Sequence, residues 1–377
     1  MTGLDRRTLL GGMASLATLA AAGCAAPRTE ARGFPTMAGT LTLPQAPALD
    51  PDKRLTRIGI GSCFDQQVEA KLLGTAIRSR PDLFVMMGDN VYGDTTSANV
   101  DELVGAYAAA LARPDYRAFR SAMPMAAVWD DHDYGNNDED SGYPYKAATT
   151  PLFFDFWGVP KDSVRRTRGG IYDAFITGPK GARVQTILLD TRSFRDRFTS
   201  TDKEGVKGKE RYVDNPDPSK TILGAAQWGW LEEQLSQQAD LRLIVSSYQL
   251  VADGHGWEKW GLFPAERQRF YDLVAKTRAN GVVMVSGDRH RAGIYRETRG
   301  TPYPIHELTS SAINTSWVPE DDPGEEAGPN RIGPTFRRNN VGMVGLDWDK
   351  RQIGFYILDE HDRTVLSHGF AMDALKA

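Results

Sequence analysis

Four short apolar runs in this chain stop at the same kind of boundary. Thr56–Gly61 runs into Ser62-Cys63, and Leu83–Met87 into Gly88-Asp89-Asn90-Val91-Tyr92-Gly93-Asp94. Met125–Val128 runs into Trp129-Asp130-Asp131-His132-Asp133, and Val282–Val285 into Ser286-Gly287-Asp288-Arg289-His290. A buried parallel strand ends in this way at the carboxyl edge of an α/β sheet, the edge at which such folds bind ligands. All four ends carry residue types that ligate metals. The pattern predicts an α/β fold with its chemistry gathered at strand ends.

The segments between these runs agree. Gln67–Arg80 reads as a helix stopped by Pro81, and Val100–Leu111 and Tyr116–Ser121 as helices before the third run. Further strands are predicted at Ile171–Thr177, Val184–Asp190 and Arg242–Ser246. Ala225–Gln238 carries Trp228, Leu231 and Leu235 at helical spacing. Pro264 opens a helix that Asn280-Gly281 closes. After His290 the pattern turns to β, at Ile294–Glu297, His306–Ser310, Val341–Trp348, Ile353–Leu358 and Val365–Phe370. Two βα-rich halves with a β-rich end predict two packed sheets flanked by helices, built as one domain over 55–377. Gly135–Tyr145, Arg195–Lys220 and Thr315–Asn339 are poor in apolar residues and read as solvated loops, parts of which wall the mouth of a site.

Composition adds boundaries. The 377 residues are 41% hydrophobic and 25% charged, ordinary for a globular chain. A net charge of −4 leaves no basic footprint for nucleic acid, so an anionic substrate must be met by local cations or by metal. Residues 1–23 read as an export signal of the twin-arginine type. Arg6-Arg7 precede a mildly apolar stretch, Leu9–Ala22, that is too short and too rich in Ala and Gly to span a membrane. Ala21-Ala22-Gly23-Cys24 resembles a lipoprotein cleavage box, which would make a lipidated Cys24 the mature N-terminus. An ordinary secretory signal with a chance cysteine is the other reading. The expected location is exported, periplasmic or at the cell surface, with the twin-arginine machinery as a partner and a lipid anchor to the membrane if Cys24 is modified. Residues 25–54 read as a linker or an edge-hugging lead-in. Once Cys24 is set aside, Cys63 is the single cysteine, and its strand-end position favours ligation over inert burial.

Metal-assisted hydrolysis of a phosphate ester needs hard oxygen ligands, a nitrogen or two and, at best, two ions sharing a carboxylate. Asp89 follows Gly88 where a bridging carboxylate belongs. Asp288 and His290 point to one side if extended geometry continues past the strand. Asn136 offers a neutral oxygen. Cys63 and Tyr92 narrow the metal, because thiolate and phenolate suit Fe³⁺ rather than Mg²⁺ or Ca²⁺.

Taken in order, Gly61-Ser62-Cys63, Gly88-Asp89-Asn90-Val91-Tyr92, Trp129-Asp130-Asp131-His132-Asp133 with Asn136-Asn137, Leu189-Asp190-Thr191-Arg192 and Ser286-Gly287-Asp288-Arg289-His290 resemble the motif series of PhoD-like alkaline phosphatases. That family is a branch of the calcineurin-like metallophosphatases. Trp257–Arg267 is similar to a further segment of it, and the likeness runs from Leu55 to Ile313. The resemblance implies a four-layer αββα sandwich and an Fe³⁺ ion with one or more Ca²⁺ ions. It puts Cys63 and Tyr92 on the iron and Asp89 between ions, with Asn136, Asp288 and His290 completing the cluster. Ser62-Cys63 stands where the wider superfamily has Asp-x-His. Asp133 stands where PhoD-like sequences usually carry glutamate, so that glutamate's role is not transferred.

Around this set, His132 is flanked by acids and is either a proton donor to the leaving group or a histidine that orients a loop. Arg289 and Arg291 flank His290 and are candidates to hold phosphate oxygens. Glu258 and Trp260 are candidate pocket residues, and His255, between two glycines, is a ligand candidate. His306, His361 and His368 read as structural, Asp190 with Arg192 as a supporting salt bridge, and Asp94 as a loop carboxylate. Three functions fit these residues. One is an exported phosphoesterase acting on mono- or diesters. Another is a relative with a narrower substrate, a phospholipid head group (phospholipase D-like) or a cell-wall polymer. The last is a non-catalytic envelope protein that binds metal or ligand.

Overall fold

The structure is a computed structural model and describes residues 33–36, 39–317, 326 and 328–376. The export signal and Cys24 lie outside the described residues. The first described elements, β1 (Gly33–Thr36) and β2 (Gly39–Thr42), form an antiparallel hairpin. The remaining long strands gather into two six-stranded sheets. In the first, β3 (Arg57–Gly61), β4 (Leu83–Met87) and β5 (Met125–Val128) run parallel. Antiparallel to β3 lies β14 (Val341–Asp347), and β15 (Gln352–Leu358) and β16 (Thr364–Ala371) extend that edge as a meander. In the second sheet β7 (Val184–Leu188), β10 (Leu241–Val245), β11 (Val282–Ser286) and β13 (Ile305–Ser310) run parallel. Its edges are the antiparallel β6 (Asp173–Thr177) and β12 (Ala292–Glu297).

Strands β4, β7, β10 and β11 are buried at every position. A strand covered on both faces has no reason to alternate, which is why β4 and β11 read as nearly continuous apolar runs. The two sheets touch through small and ring-shaped side chains. A Cβ on Gly342 of β14 would lie 2.5 Å from Ile60 of β3 and 2.9 Å from Ser310 of β13. His306 of β13 stacks on Phe370 of β16 with ring centres 3.8 Å apart.

The helices α1 (Lys71–Arg78), α2 (Asp101–Ala112), α3 (Pro114–Ala122), α6 (Gly224–Leu235) and α7 (Pro264–Thr277) fall where periodicity predicts them. The start of α1 is later than expected because Asp65 makes a turn of its own, accepting the Gln67 N–H at 2.7 Å. The end of α7 is earlier. Its left-handed residue is Arg278 (φ 51°), and the Ala279 N–H closes back on the Val274 carbonyl at 3.1 Å. Two helices were not expected, α4 (Asp131–Tyr134) and α5 (Lys146–Phe156). Pro151 sits inside α5 and masks its pattern, and Thr149, Leu152, Phe153, Phe154 and Phe156 are buried around more than half of its circumference. Phe34 of the hairpin is buried against Tyr107 of α2 and Phe156 of α5, with ring centres 5.7 and 5.9 Å away. Within the polar stretch 195–220, β8 (Thr199–Ser200) pairs with β9 (Tyr212–Val213). No described helix is long and apolar enough to cross a membrane.

Candidate metal centre

The residues that follow the strand ends meet one another across the two sheets. Ser62 and Cys63 leave β3, Asp130 follows β5, Arg192 follows β7, Ser247 follows β10, Gly287 leaves β11 and Ser311 follows β13. Ser247 Oγ donates to Asp130 Oδ1 at 2.6 Å, and Cys63 Sγ lies 3.1 Å from Ser311 Oγ. Glycine makes the approach possible. A Cβ on Gly287 would lie 2.4 Å from Ser62 Oγ, and one on Gly88 (φ +101°) 2.5 Å from Asp130 Cβ.

The backbone turns left-handed at Cys63 (φ 56°), Asp89 (46°), Asp288 (66°) and His290 (52°). Such conformations are uncommon away from glycine, and they persist where the surroundings over-determine them. Extended geometry does not continue past β11, which ends at Ser286. Asp288 and His290 reach the site because both residues turn left-handed, not because an extended chain repeats every two residues.

Cys63 Sγ, a carboxylate oxygen of Asp89 and a ring nitrogen of His290 lie within 4.8 Å of one another. Tyr92 Oη is 3.3 Å from Asp89 Oδ2 and 3.3 Å from His290 Nε2. His290 Nδ1 is engaged by the Thr315 carbonyl, which leaves Nε2 as the nitrogen that faces Tyr92. A second group within the same 4.8 Å limit overlaps the first at Asp89 and adds Asp131 and His132. A third overlaps the second at Asp131 and adds Asp138 and Glu258. Asp288 lines the same small polar pocket, as do Asn137, Arg211, Trp257, Arg289 and Trp317.

Electrostatics show what this cluster can hold. Burial, then Cys63 and Asp131, push the Asp89 carboxyl well above the usual range. Burial, then Asp130 and Glu258, do the same to Asp288. Burial pushes the Cys63 thiol up to about 11, although Ser311 and Ser62 hydrogen bonds oppose it. Burial also raises the Tyr92 phenol well above its normal value, with Cys63 and Asp89 adding to the shift. Asp131 moves the other way. Burial opposes its ionisation, but Arg192 and His132 hold it below the usual carboxylate range. At His132 burial opposes the charge, yet Asp131, Asp89 and the Asp94 hydrogen bond raise it to about 11. Asp89 Oδ1 and Asp131 Oδ1 are buried with no hydrogen-bonding partner among the described residues, and Asp131 Oδ1 has an Arg192 ion pair at 3.5 Å. Acids packed this closely, with oxygens short of hydrogen bonds and beside a thiol, a phenol and an imidazole, fit bound cations.

A buried ionic network stands beside the pocket. Arg192 is wholly buried and donates Nε to Asp130 Oδ1 at 2.6 Å. Its two terminal nitrogens donate to Glu258 at 2.9 and 2.6 Å. The expected Asp190–Arg192 salt bridge is not formed. Asp190 is saturated by Trp129 Nε1 and by the backbone N–H groups of Ile171, Arg192 and Ser193, so the guanidinium is left to the acids of neighbouring loops.

The other expected residues are placed as follows. His132 lines the pocket with Nδ1 2.6 Å from Asp94 Oδ1, so Asp94 orients it. Arg289 lines the pocket but is bound to Glu326, and Arg291 is wholly buried with Nε 3.9 Å from the same carboxylate. Asn137 lines the pocket, and Asn136 beside it in the chain is half-buried. Both ring nitrogens of His255 are used, Nε2 with Gln249 at 3.0 Å and Nδ1 accepting the Trp257 N–H at 3.3 Å. Trp260 is a packing residue, edge-on to Trp228 and Phe270. Asp133 forms a reciprocal cap with Asp130 at the start of α4 and takes the Asn90 side chain. Sequence reasoning missed Asp131, Asp138, Arg211, Trp257 and Trp317. Asp131 was visible in its acidic motif, whereas Asp138, Arg211 and Trp317 lie in polar stretches without periodicity.

Alkaline phosphatase D of Bacillus subtilis (strain 168) is 23% identical over 193 residues, 46% of this chain and 32% of that protein, so the match spans about a third of the relative's length. A solved structure titled "Structure of PhoD" superposes with a TM-score of 0.65 at 15% identity, covering 89% of this chain and 72% of that one. A structure of GAP50, described as the anchor in the inner membrane complex of Plasmodium, gives a TM-score of 0.52 at 13% identity, covering 85% and 89%. At such identities the superpositions speak for the fold. Residues 61–353 match the PhoD-like phosphatase family. That match covers most of the chain, and the chain belongs to the PhoD-like phosphatase family.

Proposed function

We propose that this chain is an exported phosphoesterase whose metal ions are held by Cys63, Asp89, Tyr92, Asn136, Asp288 and His290, with Asp131 alongside. The observation that carries this reading is the meeting of Cys63, Asp89 and His290 donor atoms within 4.8 Å, with Tyr92 Oη against two of them. Sulfur and phenol donors suit Fe³⁺, and the carboxylates that run on through Asp131 to Asp138 and Glu258 suit Ca²⁺. Bound ions of this kind supply a hydroxide nucleophile near neutral pH and neutralise charge on phosphoryl oxygens. The chain's own part is to hold and to orient. Asp94 fixes His132 through Nδ1, which leaves Nε2 to hold the proton that departs with the ester oxygen.

The family's description and the relative's name, alkaline phosphatase D, point to phosphate mono- or diesters. The αββα layering belongs to the same reading, with helices outside the two facing sheets. So does export: Arg6-Arg7 and the stretch to Cys24 support passage of a folded, metal-loaded chain to the periplasm or cell surface, with a lipid anchor if Cys24 is modified. Phospholipid head groups and cell-wall polymers are narrower substrates of the same chemistry. The scaffold alone does not imply catalysis, since one neighbour is described as an anchor. The ligand set favours an enzyme over a binding protein.

The test uses protein exported by its own signal and assayed for iron and calcium. It is then offered p-nitrophenyl phosphate and bis(p-nitrophenyl) phosphate. Turnover of at least one ester and a visible tyrosinate-to-iron band are expected. Metal-loaded protein that releases nothing from either ester would favour the binding-protein reading. Asp89→Asn is expected to abolish turnover with the far-ultraviolet circular dichroism unchanged; near-normal rates would reject Asp89 as the shared carboxylate.

A further inference from the structure

Building on the phosphoesterase reading, we propose that Arg211 is the substrate-binding cation of this site and holds the non-bridging oxygens of the phosphate, in place of Arg289 and Arg291. The three arginines differ in what they have left to give. The Arg289 side chain is 3% exposed and bound to Glu326, and that of Arg291 is 0% exposed beside the same carboxylate. The Arg211 side chain is 37% exposed and lines the pocket. It meets Asp138 through Nη1 at 2.6 Å, and Asp138 Oδ2 is shared with the Tyr212 hydroxyl at 2.7 Å. Among the described residues none hydrogen-bonds the other edge of the guanidinium fork, which can receive a tetrahedral anion.

Its position is set from several sides. The N–H groups of Arg211 and Tyr212 both donate to the Gly256 carbonyl, at 3.1 and 2.8 Å, which pins β9 to the loop that carries Trp257 and Glu258. That contact needs glycine, because a Cβ on Gly256 would lie 2.5 Å from the Glu210 nitrogen. The guanidinium lies 5.2 Å from the centre of the Trp257 ring, within cation–π range. Through Asp138 it stands at the edge of the group formed by Asp131, Asp138 and Glu258, whose oxygens lie within 4.8 Å of one another.

The charge balance favours such a residue. Asp89, Asp131, Asp138, Glu258 and Asp288 all line the pocket. An anionic ester approaching five carboxylates needs a cation that faces it before it reaches the bound ions. Among the described lining residues Arg211 is the arginine that is both reachable from solvent and only partly neutralised.

The experiment uses the metal-loaded full chain with inorganic phosphate as the probe. Wild type, Arg211→Lys and Arg211→Ala are compared for KM and kcat on p-nitrophenyl phosphate, for the inhibition constant of inorganic phosphate, and for iron and calcium content. Arg211→Ala is expected to raise KM and the phosphate inhibition constant by about tenfold or more, and Arg211→Lys by a smaller factor, because lysine keeps the charge and loses the fork. Constants within about twofold of wild type in both variants overturn the assignment, since such a factor is far below a charged hydrogen bond. If the alanine variant loses metal through Asp138, the lysine variant decides by the same two constants. Metal-loaded wild type that neither hydrolyses an ester nor binds phosphate sinks the phosphoesterase reading and Arg211 with it. An active wild type matched by both variants sinks Arg211 alone.

Discussion

Gly88 shows how little slack the centre has at the scale of one residue. Its φ of +101° is one that side chains rarely adopt, and a Cβ there would also lie 2.8 Å from the Asp130 nitrogen. Gly88→Ala is expected to cost about 2–4 kcal/mol, the sum of backbone strain and overpacking. A urea midpoint equal to wild type would show that the two loops can separate freely. The same residue made the site legible. A glycine ending an apolar run, followed by aspartate and then tyrosine, announced a turn with ligands on it, and Cys63, Asp89, Tyr92 and His290 do meet. Arg211 and Asp138 gave no such signal, because each sits in a polar stretch whose path is decided by what it docks against.

At the scale of elements, the buried Arg192 ties together the loops after β5, β7 and β10. It reaches Asp130 and Glu258, and burial raises Asp130 to about 7 even with the guanidinium beside it. Arg192→Met keeps much of the side-chain volume, leaves Asp130 without its cation and leaves Glu258 with Arg195 alone, 3.1 Å away. Removing one partner of a buried ionic group costs about 3–5 kcal/mol. The expected result is a urea midpoint lowered accordingly in metal-free protein, with part of the loss recovered on metal loading. An unchanged midpoint in both states would mean that the network does not hold the loops. Most strands and helices were legible here because burial on both faces, or on one stripe, writes a clear pattern. The exceptions have local causes. Pro151 broke the apparent helix of α5, and the hairpin of β1 and β2 buries Phe34 against helices far along the chain.

At the scale of the molecule, the contact between the two sheets carries a pH dependence. His306 is buried between them against Phe370, and His368 stacks nearby with ring centres 5.6 Å apart. Burial, then His368 and Arg296, lower His306 to about 4. His368 shifts in the same direction, by burial first and then Arg296. The unfolded chain therefore binds more protons than the folded one between the ordinary histidine value and about 4. Stability is expected to fall as the pH drops through that window, by at most about 1.4 kcal/mol per pH unit for each such group. His306→Leu should flatten the fall in Tm; an identical slope in that variant would assign the loss to other groups. The amino-acid sequence by itself determined the α/β class, the strand ends and the residues that follow them, because burial and turn chemistry act over a few neighbours. Only the tertiary structure decided which ends face each other and which arginine is left open. Those outcomes depend on contacts between residues such as Cys63 and Ser311, or Arg211 and Gly256, whose separation along the chain hides them.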